Sequence, residues 1–71
     1  MRKEISRYWG DKTYPHREAI IYYNNDMELF EVEFWDKKNL VETRQMLTEG
    51  IAHSEPYAES AAENWCLGYI Q

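Results

Sequence analysis

One seven-residue segment, Leu29 to Trp35, alternates apolar side chains with acidic ones more regularly than the rest of the chain. Successive side chains of a β-strand point to opposite faces of the sheet, so such alternation is typical of a strand with one buried face. Phe30, Val32 and Phe34 fall on one face, and the segment is therefore predicted to be a strand that buries them. The opposite face carries Leu29, Glu31, Glu33 and Trp35.

Two further strands are predicted beside this one. Residues 19–23 read Ala-Ile-Ile-Tyr-Tyr, and β-branched and aromatic residues favour a pleated strand. The segments 24–26 and 36–39 are rich in Asn, Asp and Lys, and Asn and Asp tolerate turn geometry. The predicted strands span residues 17–23, 28–35 and 40–47 and form an antiparallel meander.

The turn at residues 36–39 suggests a register for the second hairpin. If Trp35 faces Leu40 across this turn, simple alternation places Glu33 opposite Glu42. Like charges directly opposite each other destabilise a strand pair, so this register carries a mild penalty. The same alternation places Phe34 opposite Val41, Val32 opposite Thr43 and Glu31 opposite Arg44.

A helix is predicted over residues 54–68. Ser54 is a favourable N-cap residue, Pro56 suits the first helical turn, and Gly68 suits the position just past the last turn. Residues at helical spacing between them form one apolar stripe, as in a helix packed on a core. The stripe consists of Ala58, Ala61, Ala62 and Trp65.

These elements predict an α+β fold in which a three-stranded antiparallel sheet packs on one C-terminal helix, in the order β-β-β-α. Residues 1–71 are interpreted as a single domain, with a meander at 17–47 and the helix at 54–68. Residues 1–16 form an aromatic and basic arm, and an extra strand is one conformation open to it.

The small size of the chain limits how it can be stabilised. Seventy-one residues suffice for one domain near the lower limit for an unaided core, and Cys66 is the only cysteine, so no disulfide can form within one chain. Aromatic residues make up 15% of the sequence and supply much of the apolar area that such a core needs. A single thiol and the lack of an apolar segment behind the first residues lead us to expect a cytoplasmic protein that crosses no membrane.

Charge is distributed unevenly along the chain. Residues 1–17 carry five basic and two acidic side chains, whereas residues 18–71 carry three basic and eleven acidic ones, for a net charge of −5. Neutralisation of phosphates supplies most non-specific affinity for nucleic acids, so an acidic body makes nucleic acid an unlikely partner. The basic arm is a local exception, because Tyr8, Trp9, Tyr14 and His16 are interleaved with Arg7, Lys12 and Arg17. That segment leaves open a nucleic-acid-associated role in which bases stack on aromatic rings.

No candidate catalytic, cofactor-binding or metal-binding residue stands out. His16 and His53 have no recognised ligand spacing. Cys66 lies near the end of a helix, where the dipole opposes thiolate formation. Glu31 and Glu33 share a strand face but are typical solubilising residues there. We therefore predict a protein that is not an enzyme and holds no cofactor.

The first predicted strand poses a problem of exposure. In a three-stranded meander it forms an edge, yet it offers apolar groups to both faces, and an exposed apolar edge promotes aggregation. The arm, a second copy of the chain or another protein must cover it. Self-association is the expectation, and a host protein is an alternative. The candidate interaction residues are Tyr8, Trp9, Ile21, Tyr23, Leu29 and Trp35.

Several segments are similar to short uncharacterised proteins of marine cyanophages. The resemblance rests on Tyr-Pro-His at residues 14–16, Ala-Ile-Ile-Tyr-Tyr-Asn at 19–24, His-Ser-Glu at 53–55, Tyr-Ala-Glu at 57–59 and Ala-Glu-Asn-Trp at 62–65. It implies a viral origin and a bacterial host cytoplasm, and it brings no activity. The order of elements is also similar to the small DNA-binding modules of phage integrases, which bind DNA with a basic sheet. The strands here carry instead Glu18, Glu28, Glu31, Glu33 and Glu42.

Together these patterns predict a small non-enzymatic protein-interaction or accessory protein that associates with itself. Two alternatives remain: a nucleic-acid-associated protein that uses the arm, and an acidic protein that mimics DNA to occupy a binding site. The position of the charges in three dimensions distinguishes them. A contiguous basic and aromatic patch favours the former, and a contiguous acidic ridge favours the latter.

Overall fold

A computed structural model describes residues 1–69 of the chain. It contains one main antiparallel sheet of four strands, a two-stranded hairpin and one helix. The elements are β1 (Arg2–Trp9), β2 (Arg17–Asn24), β3 (Leu29–Asp36), β4 (Asn39–Gln45), β5 (Leu47–Thr48), β6 (Ile51–Ala52) and α1 (Glu55–Leu67). The predicted α+β class is confirmed. The predicted domain of residues 1–71 extends to residues 70 and 71, which lie outside the described residues.

The predicted count of three strands is too low, because the amino-terminal arm takes the extra-strand conformation that was left open to it. It forms β1 and pairs with β2 from Glu18 to Asn24. The spatial order of the main sheet is β1-β2-β3-β4. A bulge between Glu4 and Ser6 shifts the register of β1. Arg2 and Glu4 before the bulge lie on the same face as Arg7 and Trp9 after it, because the extra residue reverses the alternation. A pattern of period two therefore cannot be followed through this strand.

The hairpin of β3 and β4 begins in the predicted register and then departs from it. Trp35 pairs with Leu40 as predicted, but a bulge follows, and Val41 is left without a partner in β3. Glu42 therefore pairs with Phe34, and Glu33 pairs with Thr43. The bulge removes the unfavourable Glu33–Glu42 pair from the sheet and moves Arg44 opposite Val32.

The last predicted strand also ends early. β4 stops at Gln45. The next residue, Met46, lies outside the strand, although its N–H still donates to the Phe30 carbonyl at 2.8 Å. A small β5–β6 hairpin follows, with its turn at residues 49–50. In that turn Glu49 and Gly50 both have positive φ, which suits a two-residue connection.

Helix α1 packs on one face of the main sheet and contacts β1, β2 and β3. Its small side chains Ala58 and Ala62 are fully buried and allow close approach to the sheet. The Phe34 and Trp65 rings meet with their centroids 5.0 Å apart. Burial of a side chain such as Phe34 stabilises the fold by about 1.5–3 kcal/mol. The core consists of Ala19, Ile21, Val32, Phe34, Met46, Ala58, Ala62, Trp65 and Cys66, with Tyr8, Phe30 and Ala61 half-buried against it.

Both ends of α1 lie where the sequence predicts. Ser54 has an extended backbone at the N-cap, although its side chain makes no capping hydrogen bond, and Pro56 lies in the first turn. Gly68 adopts φ of 82° at the other end. Its N–H donates to the Trp65 carbonyl and the N–H of Tyr69 donates to the Asn64 carbonyl, which is a Schellman motif.

Candidate interaction surface

On the sheet face opposite the helix, called the open face here, Arg2 contacts three side chains of the neighbouring strands. Its guanidinium lies 4.0 Å from the centroid of the Tyr22 ring and reaches Glu31 at 2.8 Å and Glu33 at 2.9 Å. The hydrogen bond to Glu33 raises the pKa of Arg2. Glu31 is buried and also accepts from the amide of Gln45 at 3.3 Å. These two glutamates therefore act as structural partners of Arg2.

A second ion-pair group lies further along the open face. Arg7 donates to Glu4 at 2.9 and 3.1 Å and to Glu18 at 2.8 Å. The bond to Arg7 lowers the pKa of Glu4, and the bond to Glu4 raises the pKa of Arg7. Arg7 is thus neutralised by two carboxylates and is not free to track a phosphate backbone.

One end of the open face is apolar. Trp9 is 65% exposed, and Trp35 is half-buried with its indole N–H donating to Glu33 at 3.1 Å. A shallow cavity of about 240 Å³ lies beside Trp35, with buried Ile20 at its base. The other residues that line it, Arg7, Glu18 and Lys38, are charged.

The outer side of β4 is the second apolar region. Leu40 is 49% and Val41 58% exposed. Among residues 1–69, no strand pairs with this side of β4, so every second residue directs its backbone N–H and C=O away from the sheet. Beside the strand, Glu42 accepts two hydrogen bonds from Arg44, both at 3.0 Å. That pairing lowers the pKa of Glu42 and raises the pKa of Arg44.

A groove of about 250 Å³ separates β4 from α1. It exists because the helix lies over the first three strands and leaves the corresponding face of β4 uncovered. The Arg44 guanidinium lies 5.3 Å from the centroid of the Phe34 ring, so it covers the edge of the core at the groove. Tyr57, 48% exposed, forms part of the opposite wall. The lining combines apolar Met46, Leu47 and Ala61 with polar Gln45, Ser60 and Asn64.

The six interaction residues predicted from the sequence do not form one surface. Ile21 is fully buried in the core, and Leu29 is buried on the other side of the sheet. Tyr8 packs against the core, and Tyr23 makes an edge contact with the Phe30 ring at 5.0 Å. Only two members of the set, Trp9 and Trp35, lie together at the apolar end of the open face.

Residues 17–23 do not form an edge, because they belong to β2, which lies between β1 and β3. Of the three covers considered from the sequence, the structure has the arm. The arm covers the outer edge of β2 by backbone pairing from Arg2 to Trp9. The predicted interaction through an exposed edge at residues 17–23 therefore has no free edge to use. The free edges of the main sheet are β1 and β4 within the described residues.

The basic and aromatic residues of the arm are dispersed. Tyr8 faces the helix side and Trp9 the open face. Arg17 lies between the Tyr14 and Trp65 rings, 3.9 and 4.6 Å from their centroids, and donates to the Trp65 carbonyl at 2.7 Å. Arg17 therefore holds the end of α1. The arrangement is not the contiguous patch that the nucleic-acid hypothesis requires.

Two of the titratable residues considered from the sequence, His53 and Cys66, make contacts with neighbouring residues of the fold. His53 contacts Thr48 at 2.7 Å and stacks on Tyr57 with ring centroids 3.7 Å apart. Cys66 is buried, its thiol donates to the Tyr8 carbonyl at 3.6 Å, and burial raises its pKa to about 11. No group of three potential metal ligands comes together within residues 1–69. Nor does that part of the chain include a helix long and apolar enough to cross a membrane.

A row of acidic residues follows the side of α1 nearest β1. Glu55, Glu59 and Glu63 are four residues apart and therefore align on one helix face. Burial raises the pKa of Tyr8, and the negative charges of these three glutamates raise it further. This acidic ridge was not identified as a unit from the sequence.

Three exposed or groove-lining residues at the β4 edge were not predicted from the sequence: Val41, Arg44 and Tyr57. One signal was available, because the last strand of a meander is an edge by its position. Their exposure beside a groove depends on where the helix crosses the sheet, which no local pattern encodes. The chain matches no family model, and no curated protein or solved structure matches it significantly.

Proposed function

We propose that this chain is a small protein-interaction module that binds a partner by adding an extended strand to the free edge of β4. The observation that carries the proposal is the coincidence of an unpaired strand edge with an adjoining groove in residues 1–69. Extended segments bind sheet edges through backbone hydrogen bonds, and pockets for alternate side chains supply specificity.

The groove has suitable chemistry for such a segment. Met46, Leu47 and Ala61 would receive an apolar side chain, and Arg44 at the rim would pair with an acidic one. A volume of about 250 Å³ is enough for one or two side chains and small for a metabolite, since ligand cavities typically run from about 300 to 1,000 Å³.

The other free edge, β1, is less suitable. It carries Arg2, Lys3 and Arg7 and has a bulge near its middle. Charged side chains and bulges are devices that keep sheet edges from pairing with other chains. β4 also has a bulge and two charged residues, Glu42 and Arg44, but these have opposite sign and pair with each other. Leu40 and Val41 are exposed at its bulge.

The test is a random-peptide selection on the immobilised protein, followed by binding measurements with the selected peptides. Val41→Lys should weaken them roughly tenfold or more, because a lysine on the edge opposes strand addition. Ile5→Lys on β1 is the matched control and should leave affinity unchanged. Amide shift changes on binding should be concentrated in β4 and the facing turns of α1. Peptides that bind Val41→Lys as tightly as the wild type contradict the proposal.

The acidic ridge favours a second candidate, a surface that mimics the charge of DNA. In the same selection this function would enrich peptides rich in Lys and Arg. Their binding would be lost in Glu59→Gln/Glu63→Gln and kept in Val41→Lys. The two functions are thus distinguished by which variant fails to bind the selected peptides: Val41→Lys for strand addition, or the double variant Glu59→Gln/Glu63→Gln for DNA mimicry.

A further inference from the structure

We infer that the strand received by the β4 edge is β4 of a second copy, paired antiparallel about a twofold axis at Thr43. The inference rests on the proposed function of the β4 edge and names its occupant. It joins the two main sheets into one continuous eight-stranded sheet.

Charge complementarity selects this register. In an antiparallel pair centred on Thr43, Glu42 lies directly opposite Arg44 of the partner subunit, and the symmetric pair repeats the contact. Both side chains lie on the helix side of the sheet, because Glu42 pairs with Phe34 and Arg44 with Val32 in β3. Opposite charges facing each other across strands stabilise the pair. A guanidinium has five N–H donors, so Arg44 can hold its own Glu42 and that of the partner subunit together.

Neighbouring registers and the other edge are less favourable. Centring the axis on Glu42 or Arg44 would oppose identical charges, which destabilises a strand pair. On β1, an axis at Ile5 would place Lys3 opposite Arg7 of the partner subunit. Pairing β1 of one copy with β4 of the next would be heterologous and would form open chains or larger rings instead of a closed dimer.

The position of the helix is compatible with this dimer. α1 lies over β1, β2 and β3, so it leaves room at β4 for a neighbouring strand. A twofold axis normal to the sheet puts both helices on the same face, with their grooves adjoining at the new interface. Val41, 58% exposed in the single chain, then lies opposite Gln45 of the partner subunit.

The experiment uses charge substitution at the axis. Thr43 is exposed and its side chain forms no hydrogen bond within residues 1–69. Glu33, opposite Thr43 in β3, is already neutralised by Arg2, so Thr43→Arg and Thr43→Glu should both fold. Each variant alone would place like charges opposite each other in the dimer. Sedimentation velocity at tens of micromolar should show a wild-type dimer and a dissociation constant raised roughly tenfold or more in each variant. An equimolar mixture of the two variants should recover association, because the opposed charges then attract.

Glu42→Arg provides an independent variant and should also weaken the dimer, while Lys3→Glu on β1 should leave it unchanged. A wild type that sediments as a monomer up to millimolar concentration overturns the inference. The proposed function then still stands if selected peptides lose affinity for Val41→Lys, and it falls too if they do not. A dimer that resists both Thr43 variants also overturns the inference, because its interface is elsewhere.

Discussion

At the residue scale, the turn between β3 and β4 stands out because two lysines occupy positions that favour glycine. Lys37 has φ of 53° and Lys38 has φ of 65°. Two-residue hairpin turns of type I′ need positive φ at both central residues, which explains their preference for Asn-Gly. A side chain with a Cβ atom costs roughly 1 kcal/mol or more at such a position. The N–H of Lys37 donates to the His16 carbonyl at 3.0 Å, which helps to hold the strained turn.

Replacing Lys38 by glycine should therefore stabilise the protein. Relief of the backbone strain, partly offset by the greater freedom of glycine in the unfolded chain, should raise the free energy of unfolding by about 0.5–1 kcal/mol. Urea denaturation measures the change. Lys12→Gly is the control, since Lys12 is exposed in the β1–β2 loop and has no positive φ, and it should give no gain. A destabilised Lys38→Gly would show that the lysine side chain contributes more than its strain costs.

Cys66 makes stability depend on pH in the alkaline range. Burial raises the pKa of its thiol from 9.0 to about 11. Below pH 9 both the folded and the unfolded chain keep the proton, so this residue causes no change. As the pH rises from 9 through 11 the unfolded chain releases the proton first, and the free energy of unfolding should fall by up to about 2–3 kcal/mol. Denaturation at a series of pH values should show this loss in the wild type and a smaller slope in Cys66→Ala, with equal slopes contradicting it.

At the element scale, one end of α1 is held by a residue from a strand. Arg17 of β2 bonds the Trp65 carbonyl and packs against the Tyr14 ring. A Cβ atom on Gly68 would come within 2.1 Å of that ring, so glycine is needed there for close approach as well as for its positive φ. The β1–β2 loop, the helix end and β2 are thus joined at one point. A cation at a helix C-terminus also interacts favourably with the helix dipole.

Arg17→Met should lower the free energy of unfolding by about 2 kcal/mol, because it removes the dipole and ring interactions while keeping most of the apolar stem. The Nε atom of Arg17 is buried with no hydrogen-bond partner in residues 1–69, which offsets part of its contribution. Arg7→Met is the matched control. Arg7 makes exposed ion pairs, which contribute little in water, so its loss should be clearly smaller. Equal melting temperatures for the two variants would contradict the role given to Arg17.

At the scale of the whole molecule, one helix cannot cover four strands. α1 packs over β1, β2 and β3, and the corresponding face of β4 is left beside the groove. The charged groups of the open face are largely satisfied within the sheet by Arg2 and Arg7. β4 combines a free edge with exposed apolar side chains and a groove. Strand addition and the dimer are both proposed there for this reason. A domain this small has a thin stability margin, and a dimer would add to it by mass action.

Three elements, β2, β3 and α1, could be predicted from the sequence alone. In β3 and α1 a single buried face imposes a regular period, whereas β2 has a run of β-branched and aromatic residues, which favour a strand. Phe30, Val32 and Phe34 define the core face of β3, and the alanine stripe defines the face of α1. Gly68 marked the helix end because its positive φ is a local requirement. These features could be predicted because they depend on neighbours within a few residues.

Three features depend on tertiary contacts: the formation of β1, the register of β4 and the location of the free edge. The bulges at Ile5 and Val41 each insert one residue, which reverses the alternation on which sequence reasoning depends. Their positions depend on pairing with another strand: at Val41 the bulge separates Glu33 from Glu42. Ile21 was predicted to contact a partner. Instead it lies in the core, because β1 pairs with β2 and α1 packs over this part of the sheet. The location of the free surface depends on where every other element packs, so it cannot be predicted from a local pattern.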